Sequence, residues 1–419
     1  MSDAKVIFIR YFAVIISAIT TLLALKVFLA FDENDAATFL AILGWLLFMP
    51  LLQFGYGRTS YAHVRRMKSK GLNVKNTVIK FANIACIQAL IACILIIFLA
   101  YYLSIQNDYS GSRLELVFFA FGLATFQISI LKRDLAYSLD LEVSYEIIEA
   151  FRRLLLLSAY IAIFFGIALY IVSIFSLIVG ISTFFCMRLV ILSSLNHEQK
   201  IVDIDKNSND ILPNKFKVNA MKFWGFTASE LAFYNIPLIV FTFYPSPLGM
   251  AYYAVWSRLW IMLNMPYRIF VDTKINLIIT SFLKKNNHAV AKNLILCVGT
   301  SSIMMIASFG ILTYFSNIFF DVLGASNIVD SYLLLSLGIW IFGNIIQHTF
   351  GSFILSYGDG FNFAFITSFL CLSMIFIIFI VSYFTFNNVG FSLMLCGIFY
   401  LVISCVYLFK SILIIKNNV

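Results

Sequence analysis

VIFIRYFAVIISAITTLLALKVFLA, Val6 to Ala30, is an apolar run broken only by Arg10 and Lys26. About 20 residues at 1.5 Å rise each cross the hydrocarbon core of a bilayer, and this run exceeds that length. It is too long for the apolar core of a signal peptide. No small-residue cleavage pattern precedes the acidic Asp32–Asp35 segment, so an uncleaved first span is expected. Runs of similar length recur at Ala36–Phe54, Thr77–Ser104 and Leu114–Leu131. Leu154–Leu195 is too long for one helix and is expected to fold as two, turning near Ile171–Phe175. After the hydrophilic segment Asn196–Ala220 come Lys222–Phe243, Gly249–Phe270, Asn293–Tyr314, Ser331–Ile354, Phe361–Phe384 and Gly390–Lys410. The reading is an all-α integral membrane protein of about twelve transmembrane helices. It divides into an N-terminal six-helix bundle over 1–199, a cytoplasmic linker over 200–220 and a C-terminal six-helix bundle over 221–419.

Composition points the same way. The 419 residues are 62% hydrophobic and 12% charged, whereas a soluble domain carries about 25% charged residues. The net charge of +9 sits in short segments between apolar runs, not on one face of a domain, so no nucleic-acid partner is implied. Those segments alternate. Arg58–Lys75, Lys132–Arg153, Lys200–Lys217 and Lys274–Lys292 are basic; the others hold Asp32, Glu33, Asp35, Asp108, Asp321 and Asp330 with only Arg113. Basic loops stay cytoplasmic, which places both termini inside. The halves also echo each other. Val27–Phe31, a turn and Phe39–Ala41 correspond to Val240–Tyr244, a turn and Tyr252–Ala254, and both copies start outward. A parallel pseudo-repeat about an axis along the membrane normal follows.

The seven cysteines lie inside apolar runs without a CxxC and read as packing residues, with no metal site. No Walker A, HExxH or GxSxG motif occurs, so no catalytic residue is assigned and the chain is not read as an enzyme. Charges at membrane depth are the informative residues, because they face a cavity or a partner. Arg258 lies roughly 13 Å below the end of its helix and Glu230 roughly 12 Å above the other side. The short Pro245–Pro247 turn lets the two pair. Thr227, Glu230 and Tyr234 share a face, and Pro237 should kink that helix. A cavity wall and a structural ion pair fit these residues equally. Arg188, within the sixth span, either snorkels or lines a cavity. Lys26 sits near a helix end, and Arg10 shares a face with Ser17 and Thr21. Asn344, His348 and Gly351 form a polar stripe with Gln347 beside it, read either as packing contacts or as a relay. Asp32-Glu33-Asn34-Asp35 reads as a solvated turn.

Two hairpins carry a resemblance. LKVFLAFDENDAATFLAILGWLLFMPLLQFGYGRTS, Leu25 to Ser60, resembles the first hairpin of the polysaccharide flippases of the multidrug/oligosaccharidyl-lipid/polysaccharide exporter superfamily. Lys26 matches the basic position, and Gln53-Phe54-Gly55-Tyr56-Gly57 matches the closing stretch, with Gln53 in place of Asp. YNIPLIVFTFYPSPLGMAYYAVWSRLW, Tyr234 to Trp260, is similar to the family's seventh–eighth hairpin at Gly249, Tyr252 and Arg258. The resemblance implies a flippase of the bacterial inner membrane. Such a protein moves an undecaprenyl-diphosphate-linked oligosaccharide, such as an O-antigen unit, to the outer leaflet by alternating access. A polysaccharide polymerase and a chain-length regulator would be further partners beside membrane lipids. No cofactor is implied beyond an H+ or Na+ gradient. Arg10, Lys26, Arg188 and Arg258 would hold the diphosphate, with Glu230, Asn344 and His348 completing the site. The alternative is a cation-coupled multidrug antiporter of the same superfamily. That reading wants acidic residues deep in spans one to six, where only Glu115, near an end, is expected. A polysaccharide polymerase or ligase would need a large basic outer loop, which the spans leave no room for.

Overall fold

The computed structural model describes residues 2–53, 56–69, 73–198, 214–356 and 360–417, and among these only helices and loops occur. The chain forms two compact units, Met1–Thr227 and Ala228–Val419. Of the expected linker 200–220, residues up to 213 lie outside the described residues, and 214–220 open a helix.

The first unit holds α1 (Ser2–Leu29), α2 (Glu33–Trp45), α3 (Tyr56–Ser69), α4 (Lys75–Gln106), α5 (Arg113–Gln127), α6 (Arg133–Ser138), α7 (Glu142–Phe164) and α8 (Leu169–Glu198). α1 packs chiefly on α7, and α5 on α8 with α4 beside it. Phe28 and Phe39 stack across the α1–α2 turn at 4.8 Å, with Phe119 and Tyr160 edge-on to Phe28 at 5.7 and 5.9 Å. This aromatic cluster closes the unit at one end. Asp35 is not solvated as its turn suggested. It is buried and accepts from the Ser110 amide at 2.8 Å and the Ser110 hydroxyl at 2.6 Å, which ties the α4–α5 loop to α2. At the other end, α3 buries Val64 and Met67 against Val78, Leu135 and Tyr145. Its Arg65 and Lys68 hold Asp140 at 2.6 and 3.0 Å. Partial burial raises the Asp140 carboxyl, but Lys68 and Arg65 outweigh it and keep the group below its ordinary value.

α2 and α5 each end in a tighter 3-10 stretch, Leu46–Gln53 and Ile128–Lys132. α5 reaches α8 through glycines. A Cβ on Gly180 would stand 2.6 Å from the Phe126 nitrogen, and one on Gly122 2.7 Å from the Ser173 carbonyl oxygen. Lipid supplies little hydrophobic drive between helices, so such close backbone contact is what holds them. Gly180→Val is expected to force α5 and α8 apart and cost about 1–3 kcal/mol. Thermal unfolding of the purified protein in detergent checks this, and an unchanged midpoint would show that the contact is dispensable.

The second unit begins within α9 (Asn214–Tyr234), at Ala228, then holds α10 (Ile236–Phe243), α11 (Pro247–Leu283), α12 (Asn287–Tyr314), α13 (Ser316–Leu323), α14 (Ser331–Ser356), α15 (Gly360–Phe386) and α16 (Val389–Asn417). α14 is central, packed on α16 and also touching α11, α12 and α15. α9 and α10 bend by 70° at Asn235. The expected Pro237 kink is the cause. Proline has no N–H, so the Phe233 carbonyl loses its intrahelical donor. Asn235 latches the bend, giving its amide to the Leu231 carbonyl at 2.6 Å and accepting from the Tyr253 hydroxyl.

A helix overlies each expected span, but the lengths and polarities differ. Among the described residues seven helices are long and apolar enough to cross a membrane alone, or eight if the bent α9–α10 pair is one span. α2 and α5 are shortened by their 3-10 ends. α7 carries Glu142, Glu146, Glu149, Arg152 and Arg153, and α11 carries Arg258, Asn264 and Arg268. These two need partners to be stable in lipid. The turn expected near Ile171–Phe175 lies earlier, between Phe164 and Leu169, where Gly166 adopts φ +83. Only glycine takes that backbone without strain.

Candidate functional site

The polar residues of the second unit converge inside its helices. Gln347 of α14 donates from Nε2 to Glu230 Oε1 of α9 at 2.7 Å. The Tyr400 hydroxyl of α16 donates to Gln347 Oε1 at 3.4 Å and lies 2.5 Å from the Tyr234 hydroxyl. Asn344, fully buried one turn before Gln347, donates to both of those hydroxyls, to Tyr400 at 3.2 Å. Its Oδ1 accepts from Tyr267 of α11 at 2.5 Å, and Tyr267 also contacts Asn264. One continuous hydrogen-bonded chain thus joins α9, α11, α14 and α16. Trp256, Trp260 and Trp340 wall it, with Trp340 stacked on Tyr400 at 4.9 Å and Trp260 4.4 Å from Tyr234. In such an apolar frame each unsatisfied polar atom would cost about 1–3 kcal/mol, so the network is held together as a unit.

Glu230 is the acidic member. Arg268 of α11 acts on it electrostatically. Its Oε2 has no hydrogen bond to any of the described residues, while Tyr234, Tyr400 and Tyr407 lie within electrostatic reach. A single carboxylate among amide and phenol oxygens matches a proton or a monovalent cation rather than a divalent ion, which prefers several carboxylates.

The expected site residues separate into groups. Glu230 and Asn344 join one network through Gln347 and Tyr234. The arginine that acts electrostatically on Glu230 is Arg268, whereas Arg258 acts on Tyr253. His348 is half-buried on α14 beside Gln347. Lys26 and Arg188 belong to the first unit. Lys26 lies 5.9 Å from the Phe164 ring. Arg188 bridges α8 to α4, donating to Cys86 Sγ at 2.9 Å and Asn83 Oδ1 at 3.0 Å. The Arg10 side chain lies outside the described residues. Tyr267, Arg268 and Tyr400 were not expected. Their signal is present, since Asn264, Tyr267 and Arg268 repeat at i, i+3, i+4 and Tyr400, Ser404 and Tyr407 at i, i+4, i+7.

The first unit holds a second buried charged group. Glu149 of α7, 5% exposed, accepts from Arg152 Nε at 2.7 Å and Arg153 Nε at 2.9 Å. Arg152 also donates to the Phe126 carbonyl at 2.6 Å, and Arg153 to that of Ala13 at 3.0 Å. The Phe126 carbonyl is released where α5 tightens into its 3-10 end, so Arg152 replaces a lost donor. Glu149 is thus a buried acidic residue of the first unit, on a helix that begins ahead of the expected span start at Leu154.

No protein-family model and no curated protein matches the chain by sequence. Solved structures do match. A multidrug resistance MATE family transporter of the MOP superfamily, in an inward-facing conformation, superposes at TM-score 0.71 with 10% identity over 96% of this chain and 94% of its own. An outward-facing conformation of a MATE family transporter gives 0.64 with 12% identity over 99% and 96%. A MATE in a bent conformation gives 0.65 with 13% identity over 99% and 96%. The chain is a multi-pass membrane protein with the fold of the MOP-superfamily transporters, a fold recorded in both inward-facing and outward-facing conformations.

Proposed function

We propose that the chain is a cation-coupled exporter working by alternating access, with Glu230 as the coupling carboxylate and an amphiphilic organic solute as cargo. The observation that carries this is the environment of Glu230. Its carboxylate accepts from the neutral Gln347, with one oxygen unbonded among the described residues and Arg268 within electrostatic reach. A proton or monovalent cation arriving at Oε2 competes with the field of Arg268. The tyrosine–asparagine chain then carries the change to α11, α14 and α16. A ligand shifts a conformational equilibrium only by its differential affinity for the two states, and a buried carboxylate can provide it.

The test is transport by the purified full-length chain in proteoliposomes. A fluorescent lipophilic cation should accumulate only when an H+ or Na+ gradient is imposed. Accumulation indifferent to both gradients sinks the coupling assignment.

The hairpins Leu25–Ser60 and Tyr234–Trp260 favour a second reading, a flippase for an undecaprenyl-diphosphate-linked oligosaccharide. Deleting the chain then abolishes surface polysaccharide and accumulates lipid-linked units. Deletion that instead leaves polysaccharide intact and sensitises cells to drugs selects the exporter.

A further inference from the structure

Lys132 ends the 3-10 stretch that follows α5 and is fully buried, at 0% exposure. Its ammonium donates to the Phe184 carbonyl at 2.8 Å and stands 3.2 Å from the centre of the Phe184 ring. Arg188, one turn further along α8, is near enough to act on it electrostatically. Among the described residues neither cation forms an ion pair with a carboxylate. Two like charges in a poorly screened place, with no anion, are costly unless something negative joins them.

Arg188 also has donors to spare. Among the described residues its two bonds, to Cys86 and Asn83, leave three of the five guanidinium N–H groups unused. Asn83 accepts from Arg188 and keeps both amide hydrogens. Asn83 is exposed, and so is Lys80 three residues earlier on the same face of α4. Asn83 and Arg188 therefore offer donors side by side, Lys80 lies one turn along the same face of α4, and Lys132 is near enough to Arg188 to feel its charge.

The surroundings select the ligand. From Asn83 the exposed face of α4 continues through Ile87, Leu90 and Ile94, 60%, 63% and 44% exposed. From Arg188 the same direction along α8 gives Phe185, Ile181 and Ile178. Asn83 to Ile94 spans about 16 Å, close to half of the ~30 Å hydrocarbon core. Basic donors at one end of paired exposed apolar stripes on α4 and α8, here called the α4–α8 groove, match an amphiphile with a phosphate head, not a free anion.

We propose that the α4–α8 groove binds the phosphate headgroup of an anionic membrane phospholipid through Arg188, Asn83 and Lys80, with its acyl chains along the two apolar stripes. The groove lies wholly within the first unit and is independent of Glu230. Bound lipid neutralises the Lys132–Arg188 pair and ties α4 to α8.

Native mass spectrometry of the full chain with phosphatidylglycerol and phosphatidylcholine tests this, with inorganic phosphate as a third arm. Wild type should retain phosphatidylglycerol and lose phosphatidylcholine. Lys80→Gln should weaken phosphatidylglycerol about fivefold, the usual effect of one basic residue at a membrane surface. Adding Arg188→Gln should weaken it further. Lys80 is exposed, so its variant keeps the test valid if Arg188→Gln fails to fold. Equal retention of both lipids overturns the proposal, as does wild-type retention in the Lys80→Gln protein. Inorganic phosphate displacing phosphatidylglycerol at equal concentration would also overturn it, by making the site one for free anions.

Discussion

Glu230→Gln is expected to keep the fold and lose gradient-driven transport. Glutamine has nearly the same shape as glutamate and still accepts from Gln347 Nε2, so the network through Tyr400, Asn344 and Tyr267 keeps its anchor. What disappears is the charge. A hydrogen bond to a charged group contributes about 1.5–3 kcal/mol, so affinity for the coupling cation should fall by tenfold or more. In proteoliposomes the variant should move cargo at the same slow rate with or without a gradient, while eluting as a folded monodisperse protein. Full gradient-driven transport by this variant would remove Glu230 from the mechanism. Asp at the same position keeps the charge on a shorter arm and should restore part of the coupling.

Glu149→Gln is expected to be the most destabilising single change in the first unit. Glu149 and Arg152 are 5% and 4% exposed, and Glu149 answers both Arg152 and Arg153. Neutralising it leaves two guanidinium groups inside the helices without a counter-charge, at a cost of about 3–5 kcal/mol. Arg152 and Arg153 also hold the Phe126 and Ala13 carbonyls, so α5 and α1 loosen together. Thermal unfolding in detergent should show a large fall. A change within ~0.5 kcal/mol would mean that water already reaches the group. Glu149→Gln combined with Arg152→Leu should recover much of the loss, because the uncompensated charge and not the missing bond is the main term.

The apolar runs located the helices because lipid demands long hydrophobic segments, and this rule is coarse enough to read by eye. The residues it misplaced are those where a local arrangement relaxes it. The apolar run alone starts at Leu154 and leaves Arg152 and Arg153 in a basic segment before it. The helix starts at Glu142, and within it Glu149 pairs with both Arg152 and Arg153 at i, i+3 and i+4, which leaves neither arginine without a counter-charge. The α7–α8 turn was signalled by Gly166, but apolar length alone put it several residues later. Glu230 was legible as a buried carboxylate. Its neighbour was not, because matching depths across a straight hairpin selects Arg258. The 70° bend at Asn235 and the continuation of α11 through Pro266 to Leu283 bring Arg268 near instead. Tyr400 lies in a distant helix, and pairing across such separations is set by tertiary packing.

The two buried carboxylates differ in when their partners exist. Glu149 meets Arg152 and Arg153 within about one turn of helix, so its carboxylate has its counter-charges as soon as α7 leaves the ribosome. Glu230 is separated from Gln347 by 117 residues. At the usual 5–20 residues per second of synthesis, the amide is made roughly 6–23 s after the carboxylate. During that interval the α9 segment sits at the membrane with its acid unanswered. The hydrogen-bonded network of the second unit is therefore completed late, only once α14 and α16 have been made.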